Sequence, residues 1–212
     1  MSTETSGRKV RTRRTGEEVR SRLIEAARDV FAERGYAGAS SREIANRAEV
    51  TEVLLFRHFG SKAGLFEHAV LDPFDEFVNA WAGHWSRRGA RGESLEELAR
   101  DYIELLYDFF DEKRQLVIAL LAAKAHHPPT ASRLDELFQR LESTVREGSA
   151  QYGFPDGDPA ITVRLTFGLV MSAVLHADLL FPTGSPPTRD ELVDELTRYM
   201  WQGLAHPDAK GT

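Results

Sequence analysis

The 212-residue chain contains no cysteine, which excludes disulfides, thiolate metal ligands and cysteine nucleophiles. Long hydrophobic runs are also missing. The most apolar segment, residues 165–177, is shorter than the roughly 20 residues that a membrane-spanning helix needs. The first 22 residues are polar and basic and lack the apolar segment of a signal peptide. We therefore expect a cytoplasmic protein that does not enter a membrane.

Sheet and enzyme signatures are missing as well. No segment alternates polar and apolar residues for long enough to predict a strand. The sequence shows no nucleophile–base pair, no paired carboxylates and no phosphate-binding glycine loop. His126 and His127 are adjacent and cannot both face one metal ion from a helix. We predict that the protein is not an enzyme and holds neither a cofactor nor a metal ion.

The net charge of −6 is unevenly divided along the chain. Residues 1–62 contain 13 Lys and Arg against 9 Asp and Glu, whereas residues 63–212 contain 14 against 24. A basic segment on an acidic body is typical of a local nucleic-acid-binding surface. A basic tail without a partner explains the charge equally well, so the charge alone does not settle the function.

Apolar residues recur at spacings of three and four, which predicts an all-α fold of about nine helices. The predicted helices span about residues 16–34, 40–48, 52–59, 62–86, 94–111, 112–125, 129–151, 159–180 and 188–204. Gly35 is a plausible left-handed cap at the end of the first helix. The later starts carry helix-capping residues. These are the pairs Ser40–Glu43, Ser94–Glu97 and Thr188–Glu191, and the single residues Thr51 and Ser61.

Residues 40–59 have the parts of a helix-turn-helix: a short capped helix, a tight turn at Glu49 and Val50, and a second short helix. In the second helix Leu55 and Phe59 are four residues apart and are predicted to face inward. The N-terminal end of such a helix fits the major groove of DNA. The residues left on or near its outward faces are Glu52, Val53, Leu54, Phe56, Arg57 and His58.

This segment resembles the N-terminal signature of TetR (tetracycline-repressor-like) transcriptional regulators over about residues 17–66. The resemblance is carried by Gly35-Tyr36, Ile44-Ala45, Ala48, Val50-Thr51, Phe56-Arg57-His58-Phe59, Ser61-Lys62 and Leu65. It implies an Ω-shaped homodimer, usually a repressor. In such a dimer a small ligand bound in the C-terminal domain moves the two DNA-binding heads apart.

Two positions depart from the family pattern. Glu49 stands where the turn commonly has glycine, so we expect a strained backbone there. Phe56 stands where the recognition helix commonly has tyrosine, and it lacks the hydroxyl that would reach a phosphate. We expect the affinity for the DNA backbone to depend more on Arg57, His58 and Lys62.

We divide the chain into a disordered basic arm (1–15), a helix-turn-helix DNA-binding domain (16–62) and a ligand-binding and dimerisation domain (63–212). Glu52 could accept a hydrogen bond from cytosine N4, and Val53 and Leu54 could contact thymine methyl groups. The alternatives are that Glu52 is only a favourable charge at the helix N-terminus, and that Val53 and Leu54 only pack locally. The predicted DNA-binding residues are Ser40, Ser41, Arg42, Thr51, Glu52, Val53, Leu54, Phe56, Arg57, His58 and Lys62.

The large apolar side chains of the C-terminal domain sit at helical spacings, as core residues do. Collectively they could also line a pocket of roughly a few hundred Å³. The candidate ligand-binding residues are Trp81, Trp85, Tyr102, Phe109, His126, Phe138, Met171 and His176. The eighth predicted helix is apolar nearly all round, which predicts a homodimer through the eighth and ninth helices. A buried central helix in a monomer is the alternative.

These observations predict a homodimeric repressor that binds a palindromic double-stranded DNA operator and is released by a small apolar, lipid-like effector. Two alternatives stay open. In an all-helical enzyme with an incidental basic head, activity would not need residues 1–62. In a dimeric scaffold whose head binds protein, alanine at Arg57 and Lys62 would leave DNA affinity and its salt dependence unchanged.

Overall fold

The computed structural model describes residues 15–89, 92–123, 129–152 and 158–205. Within these ranges every regular element is helical, which confirms the predicted all-α fold. The helices are α1 (Gly16–Gly38), α2 (Ser41–Arg47), α3 (Glu52–Phe59), α4 (Lys62–Phe66), α5 (Asp72–Gly89), α6 (Leu95–Glu112), α7 (Arg114–Ala123), α8 (Pro129–Tyr152), α9 (Pro159–Leu175), α10 (Ala177–Leu180) and α11 (Arg189–Ala205). None of the helices in the described ranges is both long and apolar enough to span a membrane.

Most predicted boundaries agree with the structure to within a few residues. The predicted fourth helix is a continuous run of α4, a π-helical segment (Glu67–Leu71) and α5. The predicted eighth helix is divided by His176, whose backbone ends α9 and begins α10. Gly35 has the expected positive φ of 67°, but it kinks α1, which continues to Gly38.

Side-chain hydrogen bonds to backbone amides cap the N-termini of several helices. Ser61 Oγ accepts from Gly64 N at 3.0 Å and begins α4. The capping box of Ser94 and Glu97 is complete at α6, as predicted. At α11 the Thr188 hydroxyl accepts from Glu191 N at 3.3 Å, and the Glu191 carboxylate accepts from Thr188 N at 2.8 Å. Thr15 and Glu18 form another complete box at α1, which the sequence analysis had not identified.

Helices α1 to α4 form an N-terminal head around fully buried apolar side chains, among them Leu23, Phe31, Ile44, Leu55 and Phe66. The corner between α3 and α4 is tight. A Cβ atom at Gly64 would lie 2.3 Å from the Phe59 carbonyl oxygen, closer than two such atoms approach. Glycine at this position therefore sets how closely the end of α3 approaches α4.

The head is joined to the remaining helices, the body, by packing as well as by the chain. Helix α7 packs along α1, and both contact the π-helical segment. Arg28 of α1 donates from Nε to the Ala69 carbonyl oxygen at 3.0 Å. Arg114, the first residue of α7, donates to the Val174 carbonyl oxygen at 2.6 Å, near the end of α9. A displacement within the body therefore has direct contacts through which it reaches the head.

Candidate nucleic-acid interface

The first helix of the helix-turn-helix begins at a partly formed capping box. Ser40 Oγ accepts from Glu43 N at 3.1 Å, as predicted. The Glu43 carboxylate does not return to the Ser40 backbone and lies instead 3.6 Å from Arg34 Nε. Ser40 and Arg42 are exposed and Ser41 is half-buried, so the start of α2 offers polar groups to a partner.

The turn between α2 and α3 has the strained backbone that the sequence indicated. Glu49 has a φ of 54°, in the left-handed region that favours glycine. Arg22 of α1 donates from Nη1 to Glu49 Oε2 at 3.0 Å and lies 3.4 Å from the Ala48 carbonyl oxygen. This arginine, which the sequence analysis had not identified, links the turn to α1.

Helix α3 separates its faces as a recognition helix does. Leu55 and Phe59 are buried, whereas Val53 is 74% and Phe56 is 44% exposed. Arg57 is also exposed, while Glu52 is half-buried. Exposed large apolar side chains beside a cation are typical of a surface that another molecule covers.

Two residues of this segment are less exposed than predicted, and a third lacks its predicted cap. Leu54 was expected to face outward, but it is half-buried and packs against the core. His58 is likewise half-buried. Thr51 occupies the position before α3 and is exposed, but its side chain makes no capping hydrogen bond within the described residues. The spacing of Leu55 and Phe59 identified the buried face but not its width.

Lys62 has an intramolecular role that its predicted phosphate contact did not include. Its Nζ donates to the carbonyl oxygens of Tyr36 and Ala39, at 2.9 and 3.0 Å, and lies 4.5 Å from the centre of the Tyr36 ring. Burial, followed by the negative charge of Glu67, raises the pKa of Tyr36 above its ordinary value. The ammonium group has three N–H donors, so a phosphate contact would fall to the remaining one.

Two further arginines make contacts that position the head. Arg47, the last residue of α2, donates to both carboxylate oxygens of Glu33 in α1, at 2.5 and 2.8 Å. The hydrogen bond from Arg47 holds the pKa of Glu33 below its ordinary range. Arg20 lies over the Phe59 ring, 5.5 Å from its centre, and approaches His68 Nδ1 at 3.3 Å. The predicted arm, residues 1–15, lies outside the described residues except for Thr15.

The candidate ligand-binding aromatics of α5 and α6 form part of the core. Trp81 contacts Trp85 and Tyr102, with ring centres 5.4 and 4.9 Å apart, and all three side chains are buried. The Tyr102 hydroxyl has no hydrogen-bond partner among the described residues. Its burial raises the pKa of Tyr102 above the ordinary value.

The other ligand candidates are more dispersed. Phe109 contacts the rings of Phe74 and Phe77, with ring centres 4.9 and 4.8 Å apart. Phe138 packs edge-on against Phe167 at 4.9 Å, and Met171 is partly buried against the same core. His176 is exposed at the break between α9 and α10, and His126 lies outside the described residues.

A groove of about 740 Å³ lies elsewhere, between α5 and α8. None of the described ligand candidates lines it. Most of its lining residues are polar: Asp75 and Asn79 come from α5, and Arg133, Glu136 and Arg140 from α8. The groove was not predicted from the sequence, although polar residues on one side of α8 at spacings of three and four were a signal for it.

An apolar stripe runs along the outside of α9. Ile161 is 57%, Leu165 68% and Leu169 39% exposed, and their spacing of four places them on one face. Gly168 lies beside them, where an added Cβ would meet nothing within 4 Å. Tyr199 of α11 is also largely exposed.

Comparisons with known proteins agree with this geometry. Residues 23–69 match the model of the family described as bacterial regulatory proteins, tetR family. The chain is 25% identical over 192 residues to the HTH-type transcriptional activator FasR of Mycolicibacterium smegmatis, covering 90% of this chain and 84% of that protein. It is 52% identical over 68 residues to an HTH-type transcriptional repressor of Mycobacterium tuberculosis (strain H37Rv), covering 32% of this chain and only 35% of that protein.

A solved structure extends the likeness to the body. The transcriptional regulator FadR from Bacillus subtilis, in complex with stearoyl-CoA, superposes with a TM-score of 0.66 at 17% identity, covering 87% of this chain and 96% of that one. At this identity the likeness shows the fold alone. The relatives are transcriptional regulators and not enzymes. Since the family model covers the residues that form the helix-turn-helix, the N-terminal head of this chain is that of the tetR family of bacterial regulatory proteins.

Proposed function

We propose that this regulator binds a palindromic operator as a homodimer, represses transcription by occupying it, and leaves it when a small apolar effector binds. Residues 16–62 are the DNA-binding domain, and residues 63–212 bind the effector and form the dimer. The observation that carries the proposal is the outward face of α3, where Val53, Phe56 and Arg57 are exposed above a buried Leu55.

The side chains on the outer side of α3 suit different parts of DNA. Val53 can meet thymine methyl groups in the major groove, and Glu52 can accept from cytosine N4. Arg57 can pair with phosphate, and the predicted contacts of Ser40, Ser41 and Arg42 come from the start of α2. Phe56 makes apolar contacts only. The remaining proposed contacts are Thr51 at the start of α3, the half-buried Leu54 and His58, and the third N–H of Lys62.

The apolar stripe of α9, together with α11, supports the homodimer. Helix α9 is the first part of the predicted eighth helix, and α11 is the predicted ninth. Exposed leucine and isoleucine in a continuous row favour burial against another surface. A second copy of the chain brings an identical row, because a two-fold interface pairs the same patch from both subunits. Gly168 permits close approach at its centre. A two-fold dimer then requires a two-fold symmetric operator.

An acyl-type effector is supported by the composition of the body and by one structural neighbour. Helices α5 and α6 contain the contiguous aromatic rings of Trp81, Trp85 and Tyr102, whose hydroxyl is a buried polar group without a described partner. FadR from Bacillus subtilis, which shares the fold, was solved with stearoyl-CoA. An effector that fits only the DNA-incompetent arrangement of the dimer shifts the population toward release.

A mobility-shift assay on the DNA upstream of the chain's own gene tests DNA binding. We expect a sequence-specific shift that weakens with salt, and Arg57→Ala should lower the affinity and flatten the salt dependence. Arg146→Ala is the matched control, since this exposed arginine lies on α8 and pairs with Glu142 of the same helix. Loss of DNA binding in the control but not in the Arg57 variant would place the DNA elsewhere on the molecule. Absence of any specific shift would favour a protein-binding scaffold.

The direction of regulation has its own test, because FasR of Mycolicibacterium smegmatis is an activator. Transcription from the bound promoter, reconstituted with purified polymerase, should fall when the protein is added. A rise would assign activation and reject repression while leaving DNA binding intact.

Leu165→Arg tests the dimer surface. A charge in the middle of a buried apolar row costs several kcal/mol, so we expect light scattering after gel filtration to give a monomer. Ile118→Arg is the matched control, since Ile118 is exposed on α7 outside the row and should leave the dimer intact. A dimeric Leu165→Arg protein would show that the stripe is not the interface.

A further inference from the structure

The groove between α5 and α8 is built around one carboxylate and two arginines. Asp75 of α5 accepts from Arg133 Nη2 at 2.7 Å, and its other oxygen accepts from Arg140 Nη2. The two arginines are seven residues apart on α8, which places them on one face. The Asp75 side chain is 18% exposed, whereas the guanidinium side chains are 45% and 42% exposed. The carboxylate is thus largely enclosed, and its partners border the open groove.

The two guanidiniums retain donors beyond those that Asp75 occupies. Arg140 Nε is buried and has no hydrogen-bond partner among the described residues. Arg140 Nη1 lies 3.4 Å from the Asn79 oxygen, and Arg133 Nη1 lies 3.4 Å from a Glu136 oxygen; both are long contacts. An oxyanion in the groove would find charge-assisted donors arranged for carboxylate or phosphate oxygens.

We propose that this groove recognises the anionic group of the effector, a carboxylate or a phosphate ester, and that the anion displaces Asp75 from Arg133 and Arg140. The inference rests on the proposed function, because it names the chemical class of the effector. Val78 and Ala82 also line the groove, and Val78 is buried on the same helix as Trp81 and Trp85. An effector with an apolar tail and an anionic end therefore meets apolar and cationic walls together.

Charge balance explains why the anion must replace Asp75 and not add to it. The charged groove residues are two carboxylates, Asp75 and Glu136, and two guanidiniums, so the set is neutral. The negative charge of Asp75 is the first cause that raises the pKa of Arg133, which reflects how strongly the two are paired. A further anion held by both arginines leaves the enclosed Asp75 without its counter-charges. An unpaired, poorly exposed carboxylate moves toward water, and α5 moves with it.

This displacement has a direct route to the head. Asp75 lies in the first turn of α5, immediately after the π-helical segment that continues from α4. The Ala69 carbonyl oxygen in that segment accepts from Arg28 of α1. A shift of the first turn of α5 therefore acts on the contacts that position the helix-turn-helix. The pairing of Asp75 with Arg133 and Arg140 thus couples effector binding to operator affinity.

The experiment uses the full-length protein and three probes with the same tail: decanoate, decanoyl-CoA and the uncharged decanol. Binding is followed by tryptophan fluorescence, because Trp81 and Trp85 lie on α5, the helix that carries Asp75. We expect at least one anionic probe to bind about tenfold or more tightly than decanol. Comparing the affinities for decanoate and decanoyl-CoA shows whether the groove prefers a carboxylate or a phosphate-bearing head group. Equal affinity for all three probes, or no binding of either anion, overturns the proposal.

Substitutions then assign the effect to named residues. Arg133→Gln with Arg140→Gln should remove the preference for the anionic probe, while Arg146→Gln on the same helix should keep it. Asp75→Asn, which removes the competing carboxylate, should bind the anion about tenfold tighter and lose most of the effect of the anion on operator affinity. Weaker or unchanged anion binding in Asp75→Asn overturns the proposal even where the double variant does not fold. If wild-type protein without any probe fails to bind DNA specifically, the proposed function fails instead.

Discussion

Gly64→Ala is a sharp test of how the recognition helix is positioned. Gly64 lies in α4, and a Cβ atom at this position would be 2.3 Å from the Phe59 carbonyl oxygen and 3.5 Å from the Phe59 carbonyl carbon. Phe59 is the last residue of α3, and the oxygen belongs to backbone. The clash cannot be relieved by rotating a side chain, so α3 and α4 must separate by about 1 Å to reach ordinary van der Waals distance.

The magnitude follows from two opposing effects. Alanine is favoured over glycine inside a helix by roughly 1 kcal/mol. Forced backbone displacement in a packed region costs typically about 1–3 kcal/mol, and occasionally more. Because this contact is with backbone and is about 1 Å too short, we expect the upper end of that range, hence a net loss of about 2 kcal/mol. For a chain of this length that corresponds to a fall in Tm of roughly 4–8 °C.

The assay combines thermal unfolding with operator binding and with hydrogen exchange of the α3 amides. We expect Gly64→Ala to lower Tm, to weaken operator binding and to raise exchange in α3. Gly38→Ala is the matched control, because its Cβ atom would meet only the Arg34 Cβ at 3.5 Å, an ordinary contact. Wild-type stability and operator affinity in Gly64→Ala would show that α3 and α4 do not meet as described.

Two other substitutions test the head. Glu49→Gly relieves the positive φ but loses the contact with Arg22, so we expect the free energy of unfolding in urea to rise by roughly 0.5–1 kcal/mol; a decrease would mean that the Arg22 contact outweighs the strain. Lys62→Met leaves two carbonyl oxygens without their donor and should lower the free energy of unfolding by about 1–3 kcal/mol, measured in the same titration. If the salt dependence of operator binding also flattens, Lys62 contacts phosphate as well; unchanged stability would contradict its structural role.

Signals from residues close in sequence were sufficient to predict the helices and the helix-turn-helix of the head. Ser61 and the Ser94–Glu97 pair begin helices because capping needs only residues three apart in sequence. Gly35 has its positive φ for the same local reason, although α1 continues past it. The strain at Glu49 was predictable because a helix-turn-helix turn commonly requires a backbone conformation that glycine adopts at least cost.

Contacts between distant residues were not predictable in the same way. The sequence does not show that the Lys62 ammonium reaches Tyr36 and Ala39, because 26 and 23 residues separate the partners. It likewise did not separate aromatic side chains that fill the core, such as Trp81, from side chains that line a groove. Both kinds repeat at helical spacing, and only the packing of α5 against α6 and α8 distinguishes them.

The sequence by itself determined an all-α chain with a helix-turn-helix head, because periodic apolar residues, caps and a helix-turn-helix are encoded within short segments. The tertiary structure decided which polar groups meet. Asp75 and Arg133 are 58 residues apart, and they pair because α5 and α8 pack side by side. The tertiary structure also decided which face of α9 is exposed. The sequence showed only that this helix is apolar nearly all round, whereas the packing of the helices leaves Ile161, Leu165 and Leu169 exposed.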